Sequence, residues 1–258
     1  MNAVNIPAHR PLLVAHRGGA GHRPENTLAA IEHALELGVE VIEVDVRCSA
    51  DRNLVLLHDD ALDRTTNGSG NAGQQSAEQL AGLDAGSHFD PRFADQGVPT
   101  LEAAFELVGD RAGWDFDLKD RNAVVPLLAM IDRLGLRDSC WLTGMRIADV
   151  PLLVPHRVRT LPILFPHSGE ASDLLAPSAL ASTAGALADA GACGLNVDHR
   201  LVRGPAVAEA LAKKGIALWT FTVNRADLYR EMVAAGARAI CSDYPGDMPS
   251  DADGGKLH

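Results

Sequence analysis

Cysteine is scarce in this sequence: four residues in 258, Cys48, Cys140, Cys193 and Cys241. None forms a C-x-x-C pair and no tight Cys/His cluster accompanies them, so the spacing points away from a zinc site and toward reduced, buried thiols. Long apolar runs are missing too. The stretch MNAVNIPAHRPLLVAHRG lacks the continuous apolar segment of a secretory signal, and no later run is long enough to span a bilayer. These absences predict a cytoplasmic protein with no stable membrane insertion. Positive charge is in deficit: Lys and Arg total 23 against 34 Asp and Glu, a formal net charge of −11. That argues against a nucleic-acid partner, though it leaves room for a small cationic pocket holding one phosphate. With 47% hydrophobic and 22% charged residues the chain is too apolar to be disordered. Its length suits a single α/β barrel domain over residues 1–249, large enough to need no disulfide staples, with a loose polar tail at 250–258. Oligomeric state is not legible in the sequence.

Short β-branched runs alternate with amphipathic segments. Eight strands are expected, at Leu12–His16, Val39–Val46, Gly113–Lys119, Cys140–Thr143, Arg159–Phe165, Gly194–Asp198, Ala217–Val223 and Arg238–Ser242. Helical spacing fills most of the gaps, at Thr27–Leu37, Asn122–Leu134, Gly204–Lys214 and Ala226–Ala235, each followed by a glycine suited to the left-handed turn past a helix end. Eight strand–helix units over this length predict a (β/α)8 barrel of the TIM type. LVLLH at 54–58 lies too close to the second strand for a parallel crossover, so SADRN at 49–53 reads as a hairpin turn. A turn centred near Asp51–Arg52 would return His58 beside Asp45. The Gly-, Ser-, Asn- and Asp-rich stretch Asp60–Pro99 then completes, with the hairpin from about 46, a small insertion after the second strand, long enough to be functional or to hold elements of its own.

In such a barrel the working residues stand at the C-terminal ends of the strands. Those ends carry His16-Arg17, Glu43 and Asp45, and Asp117 and Lys119. Alternation along a strand puts Glu43 with Asp45 on one face, and the same spacing puts Asp117 with Lys119 on one face of theirs. Carboxylates on an otherwise apolar strand need compensation. One divalent cation, Mg²⁺ or Ca²⁺, held by Glu43, Asp45 and Asp117 is one answer; a salt-bridge network with Arg17 and Lys119 is the other, and spacing leaves both open. His16 and His58 are expected at the same mouth. A pair of imidazoles can hold one protonated and one neutral member, an arrangement that fits phosphodiester cleavage. Phe221 and Trp219 share one strand face and are candidates for the apolar side of a substrate pocket, with ordinary core packing as the alternative. Pro24–Thr27 reads as a helix start capped by Asn26 or Thr27. Asn224 and Asp243 read as loop-orienting residues, and RTTNGSG at 64–70 as the turn that shapes the insertion. GGAG at 18–21 lacks dinucleotide-fingerprint spacing.

HRGGAGHRPENT (16–27), IEVDVRCSADRNLVLLHDDALDRTTNGSG (42–70) and VPTLEAAFELV (98–108), with FDLKD, TFTVN and AICSDYP further on, resemble the glycerophosphodiester phosphodiesterases over nearly the whole chain. The resemblance implies a TIM barrel with an insertion after its second strand, a divalent cation, and hydrolysis of a small glycerophosphodiester to glycerol 3-phosphate and an alcohol. It implies His16 and His58 as the acid/base pair, Arg17 and Lys119 as phosphate contacts, and Glu43, Asp45 and Asp117 as metal ligands. It leaves water and the glycerol 2-hydroxyl as alternative nucleophiles. Three positions depart from the pattern: Asp117 for the usual glutamate, Phe221 for tryptophan, and Thr143-Gly144 for Ser-Phe. These departures keep a lysophospholipase D-like or sugar-phosphodiester enzyme open as a second reading; a third, of a different class, is a barrel that binds phosphodiesters without turnover, its carboxylates serving structure.

Overall fold

The computed structural model describes residues 10–166 and 169–249; the tail expected from Ser250 lies outside them. The strands are β1 (Leu12–Ala15), β2 (Val41–Cys48), β3 (Leu54–Leu56), β4 (Gly113–Leu118), β5 (Cys140–Thr143), β6 (Arg159–Thr160), β7 (Ile163–Leu164), β8 (Gly194–Asp198), β9 (Ala217–Phe221) and β10 (Ala239–Ser242). All pair in parallel in the order β6-β5-β4-β2-β1-β10-β9-β8-β7, except β3, which pairs antiparallel with β2. Around them lie α1 (Leu28–Glu36), α2 (Ala77–Ala81), α3 (Leu101–Val108), α4 (Val124–Leu134), α5 (Gly169–Leu174), α6 (Leu180–Ala190), α7 (Ala206–Ala212) and α8 (Ala226–Ala234).

The fifth barrel strand, expected as one run, is broken into β6 and β7. Pro162 lacks the N–H that a ladder needs. The backbone nevertheless bonds on both sides of the break: Leu161 donates to Leu142 and Ile163 to Met145, while Cys193 donates to Thr160 and Asn196 to Pro162, at 2.9–3.0 Å. These bonds close the barrel. A second departure follows β5. Only 3-10 turns occupy 147–156, where Pro151 and Pro155 deny an α-helix its hydrogen bonds.

Alternation sorts the side chains. Val44, Trp114, Phe116, Leu142, Leu195 and Leu218 face the helix ring in the main core. Leu12, Val14, Val41, Trp141, Leu161, Trp219, Phe221 and Cys241 fill the barrel interior. Trp141 and Trp219 meet at 5.0 Å, with the Arg159 guanidinium 3.7 Å over the Trp141 ring, so the interior is plugged below the site. The insertion has its own small core of Val55, Leu57, Leu62, Leu80 and Val98. This is why a stretch so rich in turn residues is held in one arrangement. Ser76 and Gln79 form a capping box on α2, and Thr100 caps α3.

The hairpin register differs from expectation. Val46 pairs with Leu56, and Leu57 N donates to Asp45 O, so Leu57 rather than His58 lies opposite Asp45. The turn runs from Ser49 to Asn53, with Ser49 N donating to Asn53 O and Arg52 at φ 65°. His58 stands one residue further along, its carbonyl held by Arg47.

Candidate active site

The C-terminal ends of the strands open into a cavity of about 240 Å³. His16, Arg17, Glu43, His58, Asp117 and Lys119 line it together. Phe221, Phe165, Ile163, Asn196, Asp198, Arg200 and Thr143 belong to its wall as well. Phe165 and Phe221 touch edge to face at 5.3 Å. Trp219 is not part of the wall; it lies two residues below Phe221, against Trp141.

Glu43, Asp45 and Asp117 converge so closely that one oxygen from each lies within 4.8 Å of the others. All three are buried. The salt bridges offered as the alternative to a cation are present: Lys119 Nζ is 2.7 Å from Asp117 Oδ2 and 3.2 Å from Asp45 Oδ1, and Arg17 Nε is 3.2 Å from Asp45 Oδ2. They do not satisfy the cluster. Asp115, one layer below Asp117, is a fourth buried carboxyl, so four acids face two cationic groups. Asp117 Oδ1 and Asp115 Oδ1 have no hydrogen-bond partner among the described residues, and Asp45 Oδ1 has the 3.2 Å ion pair to Lys119 but no hydrogen bond. Burial, then repulsion from Asp45 and Asp117, pushes Glu43 well above the usual carboxylate range. Burial and Asp117 do the same to Asp115. Asp45 goes the other way: burial opposes its charge, but Lys119 and Arg17 outweigh it. An all-oxygen set with unpartnered buried oxygens and surplus negative charge fits a hard divalent cation. The residues present can hold a metal.

The surrounding residues aim these groups. Arg17 stands at φ 52°, a conformation costing on the order of 1 kcal/mol for a residue with a side chain. There its backbone N–H donates to Glu43 at 2.7 Å while Nη1 donates to Glu25 at 2.8 Å. Asn26, at φ 57°, is not the helix cap; Thr27 is, accepting from Ala30 N. Asn26 instead donates to Asp45 Oδ2 at 2.7 Å and accepts from Asp45 N at 3.0 Å.

Each histidine ring is tied at Nδ1 to a carboxylate, His16 to Asp243 at 2.6 Å and His58 to Asp59 at 2.5 Å. A carboxylate only accepts, so both rings carry the proton on Nδ1 and leave Nε2 for proton transfer. Asn224 Nδ2 donates to Asp243 at 2.6 Å. Asp243 is held below its ordinary range: burial opposes this, and the His16 hydrogen bond and charge outweigh it. Asp243 and Asn224, read from the sequence as loop-orienting residues, thus orient a ring of the site.

The sequence profile of the Glycerophosphoryl diester phosphodiesterase family matches residues 16–247. The chain belongs to this family. It is 32% identical over 248 residues to a glycerophosphodiester phosphodiesterase of Caldanaerobacter subterraneus subsp. tengcongensis, covering 92% of this chain and 95% of that one. Among solved structures, the glycerophosphodiester phosphodiesterase of Agrobacterium tumefaciens superposes with a TM-score of 0.77 at 30% identity, covering 92% of this chain and 97% of the other. An Oleispira antarctica phosphodiesterase in complex with the product sn-glycerol-3-phosphate superposes with a TM-score of 0.80 at 25% identity, over 95% and 97% of the two chains. Membership makes the chain an enzyme of the glycerophosphodiester phosphodiesterase class on a (β/α)8 barrel. Among the described residues no helix is long and apolar enough to cross a membrane.

Proposed function

We propose that this protein hydrolyses small glycerophosphodiesters to glycerol 3-phosphate and an alcohol. The observation that carries the reading is the convergence of two carboxylate-oriented imidazoles with Arg17, Lys119 and the acidic triad on one cavity. Arg17 and Lys119 hold the phosphodiester anion. Nε2 of one histidine takes the proton of the attacking hydroxyl, and Nε2 of the other delivers a proton to the departing alkoxide. Asp243 and Asp59 stabilise whichever ring becomes positive. Phe165 and Phe221 give the glycerol carbons an apolar wall. Glu43, Asp45 and Asp117 would hold a divalent cation, Mg²⁺ or Ca²⁺, which offsets the negative charge that builds on the phosphoryl oxygens. Four free cysteines support a cytoplasmic, reducing location.

The test is turnover of glycerophosphocholine and glycerophosphoethanolamine with and without chelator, followed by His16→Ala and His58→Ala. Each histidine variant should lose about 10²–10⁴-fold in rate. Full activity in either variant, or indifference to chelator, rejects the reading.

One feature favours a second substrate class. A groove of about 540 Å³ that shares Lys119 with the catalytic cavity carries Val124, Val125, Met145, Leu152 and Leu153 beside the charged Asp120, Arg121, Arg146 and Asp149. A lysophospholipase D-like enzyme would lay an acyl chain there. Preference for lysophosphatidylcholine over glycerophosphocholine would favour that class; the reverse preference removes it.

A further inference from the structure

Arg64 belongs to the turn-rich insertion and touches neither the acidic triad nor the cavity wall. Its side chain is 46% exposed, yet every described contact of its guanidinium leads toward the site. Nε donates to Asp59 Oδ2, and Asp59 holds His58 through its other oxygen. Nη1 and Nη2 donate to the two oxygens of Glu25, both at 2.8 Å. Glu25 Oε1 also accepts from Arg17 Nη1. The result is one chain, His58–Asp59–Arg64–Glu25–Arg17, running from the end of the hairpin to the turn after β1.

We propose that Arg64 is a positioning residue that sets the orientation of His58 through Asp59 and of Arg17 through Glu25. The proposal rests on the acid–base reading of His58 given above.

Three physical points carry it. A half-exposed ion pair adds little to stability, about 0–1 kcal/mol, so folding alone is a weak reason for three aligned contacts. A planar guanidinium gripping one carboxylate with two nitrogens and a second with its third fixes both in direction as well as distance. The backbone that carries Arg64 is itself anchored. Leu62 is buried in the insertion core, Thr65 is buried, and Thr66 bonds back to Leu62 through both its amide and its hydroxyl. The fork therefore stands on a rigid base, as an orienting group must. Arg64 also shares Glu25 with Arg17. Without it, Glu25 would answer to Arg17 alone and compete with the substrate phosphate for that guanidinium.

The experiment is a kinetic double-mutant cycle of Arg64→Ala with His58→Ala, with melting temperatures measured alongside. Arg64→Ala should keep a near wild-type melting temperature and lose about 10–10²-fold in kcat, the scale of a small misplacement of a reacting group. A smaller rise in KM should accompany it through Arg17. In the His58→Ala background the same change should cost less than about 3-fold in kcat, because the ring it orients is gone. Arg64→Lys, which keeps charge without the fork, should fall between alanine and wild type, and it serves if the alanine variant does not fold. Wild-type kcat in Arg64→Ala, equal fold losses in both backgrounds, or full activity in Arg64→Lys would overturn the proposal. Full activity in His58→Ala would instead reject the acid–base reading on its own.

Discussion

Gly144 directly follows the last residue of β5. It stands at φ +79°, and a Cβ built there would meet Asp117 Oδ1 at 2.2 Å and the backbone N and O of Leu118 at 2.7 Å. Gly144→Ala therefore combines two costs. The left-handed backbone adds roughly 1–2 kcal/mol. Forcing an atom against the backbone of β4 adds roughly 1–3 kcal/mol. A total near 3 kcal/mol lowers the melting temperature by about 6–12 °C in a protein of this size. The same collision pushes Asp117 off its position, so affinity for Mg²⁺ or Ca²⁺ should fall as well. Gly38, past the end of α1, is the control: it has φ +71° and nothing within 4 Å of a new Cβ. Gly38→Ala should show the backbone cost alone and leave cation binding untouched. Scanning calorimetry and cation titration of both variants separate the terms. If Gly144→Ala melts with Gly38→Ala and binds cation like wild type, the close approach of Gly144 to Asp117 has no consequence and the reasoning fails.

Saturating Mg²⁺ or Ca²⁺ should stabilise the fold by about 2.7 kcal/mol at one hundred times Kd, seen as an upward shift in thermal melting that Asp117→Asn abolishes; no shift with either ion contradicts a cation in the triad. Asp243→Asn should lower kcat by about 10²–10⁴-fold with little change in KM, since the amide no longer enforces the Nδ1–H form of His16; a wild-type kcat refutes the orienting role. Burial raises the Cys193 thiol to about 11 and the Cys140 thiol to about 12. A raised thiol stays neutral below its pKa, so at pH 8 only about one Cys193 in 10³ is thiolate. Ellman's reagent should therefore react slowly with native protein at pH 8 and faster as pH approaches 11; a fast reaction at pH 8 contradicts the shift.

The barrel was legible because its strands are apolar runs and its helices end at glycines: Gly38, Gly135, Gly215 and Gly236 all take positive φ. Cys140–Thr143 and Gly194–Asp198 form strands with the expected bounds. The break at Pro162 and the missing helix after β5 were written in Pro151, Pro155 and Pro162, but strand spacing alone smoothed over them. His16, Arg17, Glu43, His58, Asp117 and Lys119 reached one cavity because strand ends and alternation are local properties. Their supporting residues were not local. Asp243 lies 227 residues from His16 and meets it only because β10 closes against β1. Glu25 and Arg64 are 39 apart and meet across the insertion. The hairpin missed by one residue because the five-residue turn from Ser49 to Asn53 centres on Asp51 rather than between Asp51 and Arg52.

The divided fifth strand gives the barrel a stitched seam. Apart from the antiparallel hairpin strand β3, every other junction is a parallel ladder between strands of four or more residues, while β6 and β7 offer two residues each. The adjoining β5–β6 connection brings proline-interrupted 3-10 turns in place of a helix. Backbone amides around 159–164 should therefore exchange with deuterium ahead of β1, β2 and β4, marking the place where the cylinder first unzips and from which global unfolding spreads.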